Sequence, residues 1–485
     1  MGYNTSTQKL VFHGRYMDDV CKGIGLAIHD EYPLRSKWDP ILTKTLKQEL
    51  PLIHFLETIK FNSFKNIPPQ PFFRFDDMGR GYILGILFNL LQGVSPYLIF
   101  WLGLLFFIMI FFWISLEYFL CDLWVYNYVL CFTFGFSSYL YSILSLTYSA
   151  SGFYILSFLS LLPICIYTVF NRNKTIIGCF IRITITSIIL SICLICRSSS
   201  IAAYIGVGIV ILKLSKDMTT SVKVKNKLWI LFLSFLILIM PYIILHQHIN
   251  NKIMHTLSKY SSNPSLGNHH PFWHIIWTGL GDFDKKNHYA VNDHMAVDFA
   301  KSKGWTTEFS NAAEGIDKQY EHILKTSIIN DILNDPFWYL GILRKRFFST
   351  LFQLKLYPWK FRDGIFLKSE ESNRSNAIDF YYMLIPRADN FGINPYMMEL
   401  PIELFIFPTW IIILVSFFSV INKSFVNIFQ QEFFILFVVG VSSMILPVCV
   451  TTVAGIETQG FFIFYYLGFS FFIGKLIIYK FLKTK

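Results

Sequence analysis

Charge is scarce in this chain. Only 15% of its 485 residues are Asp, Glu, Lys or Arg, a shortage that excludes a disordered chain and argues against a soluble one. The first 20 residues are polar and lack an apolar h-region, so no cleavable signal peptide is read there. Cysteine spacing of the metal-binding kind is missing too. Of eight cysteines, only Cys193 and Cys196 stand as a Cys-X-X-Cys pair, and they sit in an apolar run with no matching second pair. That pair reads as helix packing, and no disulfide framework follows. What fills the chain instead is hydrocarbon: 54% of residues are hydrophobic, 51 are Phe, and the mean hydropathy is +0.47. This is the profile of a multi-pass helical membrane protein.

The formal charge of +11 does not point to nucleic acid. Many of the lysines fall in short loops between apolar runs, as the positive-inside rule expects. Runs long enough to cross a hydrocarbon core, about 20 residues each, are predicted at 94–116, 119–142, 151–170, 177–196, 199–213, 228–247, 401–421, 430–453 and 459–479. Arg172, Lys174, Lys213, Lys216, Lys223, Lys225, Lys227, Lys423, Lys480, Lys483 and Lys485 then share one side, which should be cytoplasmic. Residues 1–93, Arg197 and a polar insert at 248–400 fall on the other. That insert is too long for a connecting loop and is read as a domain. The expected organisation is therefore an extracytoplasmic 1–93, about six transmembrane helices in 94–247, an extracytoplasmic domain at 248–400, and about three transmembrane helices with a cytoplasmic tail in 401–485. An N-terminal segment placed outside needs something ahead of it to carry it across. A missing leading helix is the favoured explanation.

Three stretches carry candidate chemistry. Asp18 and Asp19 are adjacent on a segment that can be helical through Ala27, and neighbouring carboxylates can share a proton or be tuned apart for general base work. The same pair can equally be an acidic helix start. Arg197 follows the outward end of the fourth span beside Ser198, Ser199 and Ser200, either as an anion contact or as an arginine snorkelling to the interface. Arg80, with Asp76 and Asp77, is a second basic candidate or a self-contained ion pair capping a short helix; Arg344 and Arg346 follow. Between His269 and His294 lie five histidines and three aspartates. His270 and His274 are one helical turn apart, as metal ligands can be, with Asp282 downstream; Trp273 and Trp277 repeat the spacing and would suit an interfacial belt. The cluster is open to three readings: a divalent metal site, an aromatic and histidine wall for a substrate, or plain structure.

The order of these parts resembles the GT-C membrane glycosyltransferases, especially the branch of protein O-mannosyltransferases and aminoarabinose transferases. The acidic loop from Asp18 and Asp19 through Lys22 to Ala27 resembles that family's first loop, with Asp where Glu is usual. Pro68 through Asp76 and Tyr82 to Gly93, Val94, Ser95 and Pro96 is similar to its proline-rich turn and entry into the next span. Tyr320 through Pro336 to Arg344 and Arg346 resembles its late outer helix, proline, helix and arginine pattern.

The resemblance implies an all-α GT-C-like bundle with juxtamembrane helices and a late extracytoplasmic insert, in a bacterial cytoplasmic membrane. It implies a polyprenyl-phosphate sugar as donor and a lipid, glycan or protein as acceptor, with no nucleic acid partner. Asp18 or Asp19 would be the base, and Arg197 or Arg80 would hold the lipid phosphate. His270, Trp273, His274 and Asp282 would line the substrate, and a metal, if any, would sit on His270, His274 and Asp282. Two rival expectations remain. A lipid-linked glycan transporter would place ionisable residues deep in the spans, whereas Asp122, Arg182, Glu403, Glu432 and Lys475 lie near span ends. A metal-dependent membrane hydrolase or phosphotransferase would centre on 269–294.

Overall fold

The computed structural model describes residues 79, 82–83, 86, 96–135, 151–171, 173–218, 224–258, 272–281, 283–284, 287–290, 293–306, 318–351, 423–451, 460 and 462–478. Every regular element among them is helical. Helices α1 (Pro96–Leu120), α2 (Trp124–Gly135), α3 (Ser151–Leu159), α4 (Leu162–Phe170), α5 (Ile176–Cys196), α6 (Ile201–Met218) and α7 (Val224–Ser258) form the first part of an apolar bundle, completed by α12 (Lys423–Cys449) and α13 (Phe462–Ile477). Between α7 and α12 come four further described helices: α8 (Phe272–Leu280), α9 (Asp293–Ser302), α10 (Lys318–Asn334) and α11 (Pro336–Leu351). Five segments are long and apolar enough to cross a membrane: Gly152–Phe170, Ile176–Cys196, Ser198–Asp217, Leu228–Lys252 and Gln431–Cys449. Leu105–Leu120 and Tyr466–Ile477 are shorter apolar helices of the same bundle. The chain is thus an α-helical membrane protein. The expected span at 401–421 lies outside the described residues.

Local sequence explains where the boundaries moved. The second span, expected from 119, starts at Trp124 because Asp122 takes a positive φ of 56° and ends α1. The Cys121 and Leu123 N–H groups fold back on the Glu117 and Tyr118 carbonyls, closing the helix end. The third span is two helices. It breaks at Ser160 and Leu161, with Pro163 in the first turn of α4, where a missing N–H costs nothing. The fifth, expected to be short, gains length at both ends: a 3-10 turn at Ser198–Ser200 precedes it, and Lys213 pairs with Asp217 one turn on at 3.0 Å.

Side chains within the bundle sort by what they face. Tyr154, Phe158, Leu161 and Leu162 on α3 and α4 are completely buried and form the axis of the core. Gly206 of α6 lets the chain pass close to Leu161 and Ser442, where a Cβ would meet their side chains. On α7, by contrast, Leu228, Trp229, Phe232, Leu236, Met240 and Ile244 are exposed, the signature of a helix facing lipid. Buried hydroxyls bond to carbonyls of their own helix: Thr168 to Ile164, Ser191 to Ser187, Ser442 to Val438. One reaches across instead. Ser187 donates to the Leu238 carbonyl at 2.6 Å, one turn before Pro241, whose missing N–H interrupts the ladder of α7.

Contacts along the helices define two ends. Ser187 against Leu238 and Ile195 with Ile249 set α5 and α7 parallel; Arg182 near the start of α5 bonds Glu117 in the last turn of α1, and Glu432 near the start of α12 bonds Tyr126 in the first turn of α2, so α5 and α12 begin at the same end. Arg197, His248 and Val448 therefore share one end, and Glu117, Arg182, Asp217, Glu432 and Lys475 the other. The insert helices sit on the first. They have their own core of Trp277, Leu280, Tyr320, Leu324, Ile328 and Ile342. This corrects the expectation of an interfacial tryptophan belt: Trp277 is 0% exposed, because the Trp-to-Trp spacing aims it into the insert core.

Candidate functional site

At the insert end, α11 meets the C-terminus of α12. Arg346 is 0% exposed, and its Nη1 donates to the Val448 carbonyl at 3.2 Å. A helix C-terminus presents unsatisfied carbonyls and a partial negative charge, so a guanidinium is well placed there. Gly279 at the end of α8 makes room: a Cβ there would collide with the Arg346 guanidinium and the Val450 carbonyl. Around this junction the Thr350 and Thr451 hydroxyls are buried without a hydrogen-bond partner among the described residues. A cation and two hydroxyls thus collect where the insert docks on the bundle.

Arg197 lies at the same end. It caps α5, its backbone N–H bonding to the Cys193 carbonyl at 2.8 Å, and its Nε donates to Ser199 Oγ at 3.1 Å. Nearby, Gly79 packs so tightly on Ile195 that a Cβ would overlap it. Tyr82 and Ile83 join Ile195, Cys196 and Ile249 in one apolar cluster, and Tyr82 Oη meets His248 Nε2 at 3.0 Å. Gly79, Tyr82 and Ile83 are therefore drawn onto the insert-side ends of α5 and α7. The Tyr242 and His246 rings on α7 lie tilted against each other, 5.2 Å between centroids.

Of the 269–294 residues, Trp273 and His274 open α8, and both are fixed by α10. Glu321 accepts from the Trp273 and His274 backbone N–H groups at 3.1 and 3.2 Å, capping the helix from 47 residues away. Burial pushes the Glu321 carboxyl up, and the two N–H groups oppose that rise. The His274 ring meets Tyr320 Oη through Nδ1 at 2.6 Å. His288 is stacked at 4.1 Å on Phe299 with rings nearly parallel, and desolvation lowers its pKa. Asp284 accepts from Asn287 N, Tyr289 N and Trp338 Nε1. His274, His288 and Asp284 thus all serve the folding of the insert. Among the described residues no three His, Cys, Asp or Glu side chains converge as a metal site. Asp18, Asp19, Arg80, His270 and Asp282 lie outside the described residues.

The opposite end holds charges that sequence reading placed in part. Arg182 grips Glu117 with two bonds, Nε to Oε1 at 2.7 Å and Nη2 to Oε2 at 3.0 Å, and its guanidinium lies 3.8 Å from the Tyr167 ring centroid. Trp113 adds a third donor to Glu117 at 3.2 Å. Glu432, 1% exposed, takes Lys475 at 2.8 Å and the Tyr126 hydroxyl at 3.2 Å. Glu117 escaped the sequence reading because it stands one residue beyond the predicted span. Glu321 escaped it, as did the link from Tyr320 to His274, because nothing local ties these residues to position 274. No family model, curated protein or solved structure matches this chain.

Proposed function

We propose that this chain is a membrane glycosyltransferase of GT-C type, moving a sugar from a polyprenyl-phosphate donor to an acceptor outside a bacterial cytoplasmic membrane. The observation that carries this reading is the junction at Arg346. A folded extramembrane domain is seated directly on the end of a membrane helix, with a buried guanidinium at that level and Arg197 at the same end of the bundle. A polyprenyl-phosphate sugar has the same layout: tail in lipid, phosphate at the headgroup level, sugar beyond it.

In this mechanism Asp18 or Asp19 deprotonates the acceptor hydroxyl. The resulting oxygen attacks the anomeric carbon, and the bond from that carbon to the phosphate oxygen breaks. Polyprenyl phosphate leaves carrying the electron pair, and its growing negative charge is stabilised by arginine. Trp273 and His274, held by Glu321 and Tyr320, belong to the wall facing the sugar.

A second reading, a lipid-linked glycan transporter, would need ionisable residues deep in the spans, whereas Glu117 and Glu432, although buried, stand at the bundle end away from the insert. One assay separates them. Membranes containing the wild type, Asp18→Asn or Asp19→Asn are given labelled polyprenyl-phosphate sugars, with and without a chelator. The glycosyltransferase reading expects transfer by the wild type and its loss in one Asn variant at equal expression. Label that crosses the membrane still attached to its lipid would overturn it in favour of transport.

A further inference from the structure

Two carboxylates are buried at the bundle end away from the insert, and their oxygens are not equally provided for. Glu117 has both oxygens bonded: Arg182 Nε donates to Oε1 and Nη2 to Oε2, and Trp113 Nε1 adds a further bond to Oε1. Glu432 takes its donors on one side only. Lys475 Nζ at 2.8 Å and Tyr126 Oη at 3.2 Å both meet Oε1, while Oε2 is buried without a hydrogen-bond partner among the described residues. An ionised carboxylate has about four acceptor positions, so Oε2 still calls for a donor.

A second buried group lies close by. Tyr118, in the last turn of α1, is 0% exposed, and its Oη likewise has no hydrogen-bond partner among the described residues. Its phenol is within electrostatic reach of Glu432 and of Tyr126. Local sequence brings the three together. Asp122 turns the chain between α1 and α2, and the Leu123 N–H bonds back to the Tyr118 carbonyl at 2.8 Å, so Tyr118 and Tyr126 stand on either side of one tight turn. On α13, Gly474 lets the Tyr126 ring pack where a Cβ would collide with it, one residue before Lys475. A donor on α1 and an acceptor on α12 are thus buried near each other without bonding to each other. Polar groups held apart in this way are ordinarily joined by water.

The chemistry of these two atoms selects what bridges them. The Lys475 ammonium already neutralises Glu432, so no further cation is called for, and a carboxylate oxygen repels an anion. Glu432, 1% exposed, is out of reach of a lipid headgroup. A small neutral molecule that accepts from a phenol and donates to a carboxylate fits both ends. The Lys475 side chain, 28% exposed, marks the way in from solvent. We infer that a structural water molecule is bound between Tyr118 Oη and Glu432 Oε2, accepting the phenol's hydrogen and donating one of its own to the carboxylate. It completes a polar chain from Lys475 through Glu432 to Tyr118, with Tyr126 as a branch, and so ties α1 and α2 to α12 and α13. This holds whichever reaction the protein carries out.

Radiolytic footprinting reads such a site, because hydroxyl radicals formed from a bound water oxidise the side chain that it touches. The full-length chain in lipid nanodiscs is given a millisecond X-ray pulse, and peptide fragmentation assigns the added oxygen. Tyr118 should be oxidised although buried, and Phe158, equally 0% exposed in the core, should not. The double variant Glu432→Met with Lys475→Met replaces the pair by apolar side chains and should abolish the labelling of Tyr118. No oxidation of Tyr118 in the wild type would overturn the inference, as would labelling that persists in a double variant whose protease digestion pattern matches the wild type. A high-resolution density map of the wild type decides the matter without any variant. A peak about 2.8 Å from both Tyr118 Oη and Glu432 Oε2 is expected, and ordered side chains with no peak between them would overturn it.

Discussion

The two ends of the bundle solve the problem of buried polarity in opposite ways. At the end away from the insert, charge meets charge: Glu117 with Arg182, Glu432 with Lys475, and Asp217 with both Lys174 and Lys213. At the insert end, arginines and histidines meet neutral oxygens: Arg346 a carbonyl, Arg197 and His248 hydroxyls, His274 a phenol. The first arrangement is least tolerant at Glu117 and Glu432, because removing Arg182 or Lys475 leaves a buried carboxylate without its cation in a low-dielectric interior. In the second, these bonds run to neutral oxygens.

The largest effect should come from breaking the charge-paired end. Arg182→Met leaves Glu117 buried and unpaired and should cost about 3–5 kcal/mol, while the double variant Glu117→Met with Arg182→Met recovers most of that loss. Thermal unfolding in detergent measures both. A double variant as unstable as the single would show that the pair is not what holds this end.

At the insert end the corresponding test is Gly279→Val, which drives a branched side chain into Arg346 and the Val450 carbonyl. A loss of about 1–3 kcal/mol is expected, appearing as faster proteolysis within 272–351 with little change in the α3–α7 part of the bundle. Equal sensitivity of the two parts would erase the distinction between the ends.

Smallest is the response to pH. The His288 pKa is lowered below its ordinary value of about 6.5 by burial. Its neutral form is therefore favoured in the folded insert, so its contribution is fully present above pH 6.5 and is lost as pH falls through the lowered value. His288→Phe should flatten that acid dependence of the melting temperature. Glu321, whose carboxyl is raised, contributes in the other direction, its share fading as pH rises through its raised value.

Periodicity and hydropathy made the spans legible, since a 20-residue apolar run has few other uses in a folded chain. Less legible were the ends. Asp122 stops α1 through a backbone conformation, and Lys213 with Asp217 lengthens α6 through a side-chain pair; hydropathy sees neither. In the insert, the one-turn spacing of Trp273 and Trp277 correctly suggested a helix, but the belt it suggested was wrong. Whether a tryptophan faces lipid or a core is decided by partners such as Tyr289 and Phe299, which the local pattern does not contain. Arg346 was legible only as one basic residue among several. Its distinction arises from a carbonyl 102 residues away.

Helix α7 spans 35 residues, about 52 Å of rise, and its apolar part from Leu228 to Lys252 alone covers about 37 Å, against roughly 30 Å of hydrocarbon. Most of its apolar surface faces lipid rather than protein, so bilayer thickness acts on it directly. A thinner membrane must tilt this rod or stretch around it. Because the insert follows α7 in the chain, that tilt would also change the angle at which the extramembrane domain leaves the surface. The host membrane's thickness thereby becomes a variable of the protein's working geometry, to be matched whenever the chain is reconstituted.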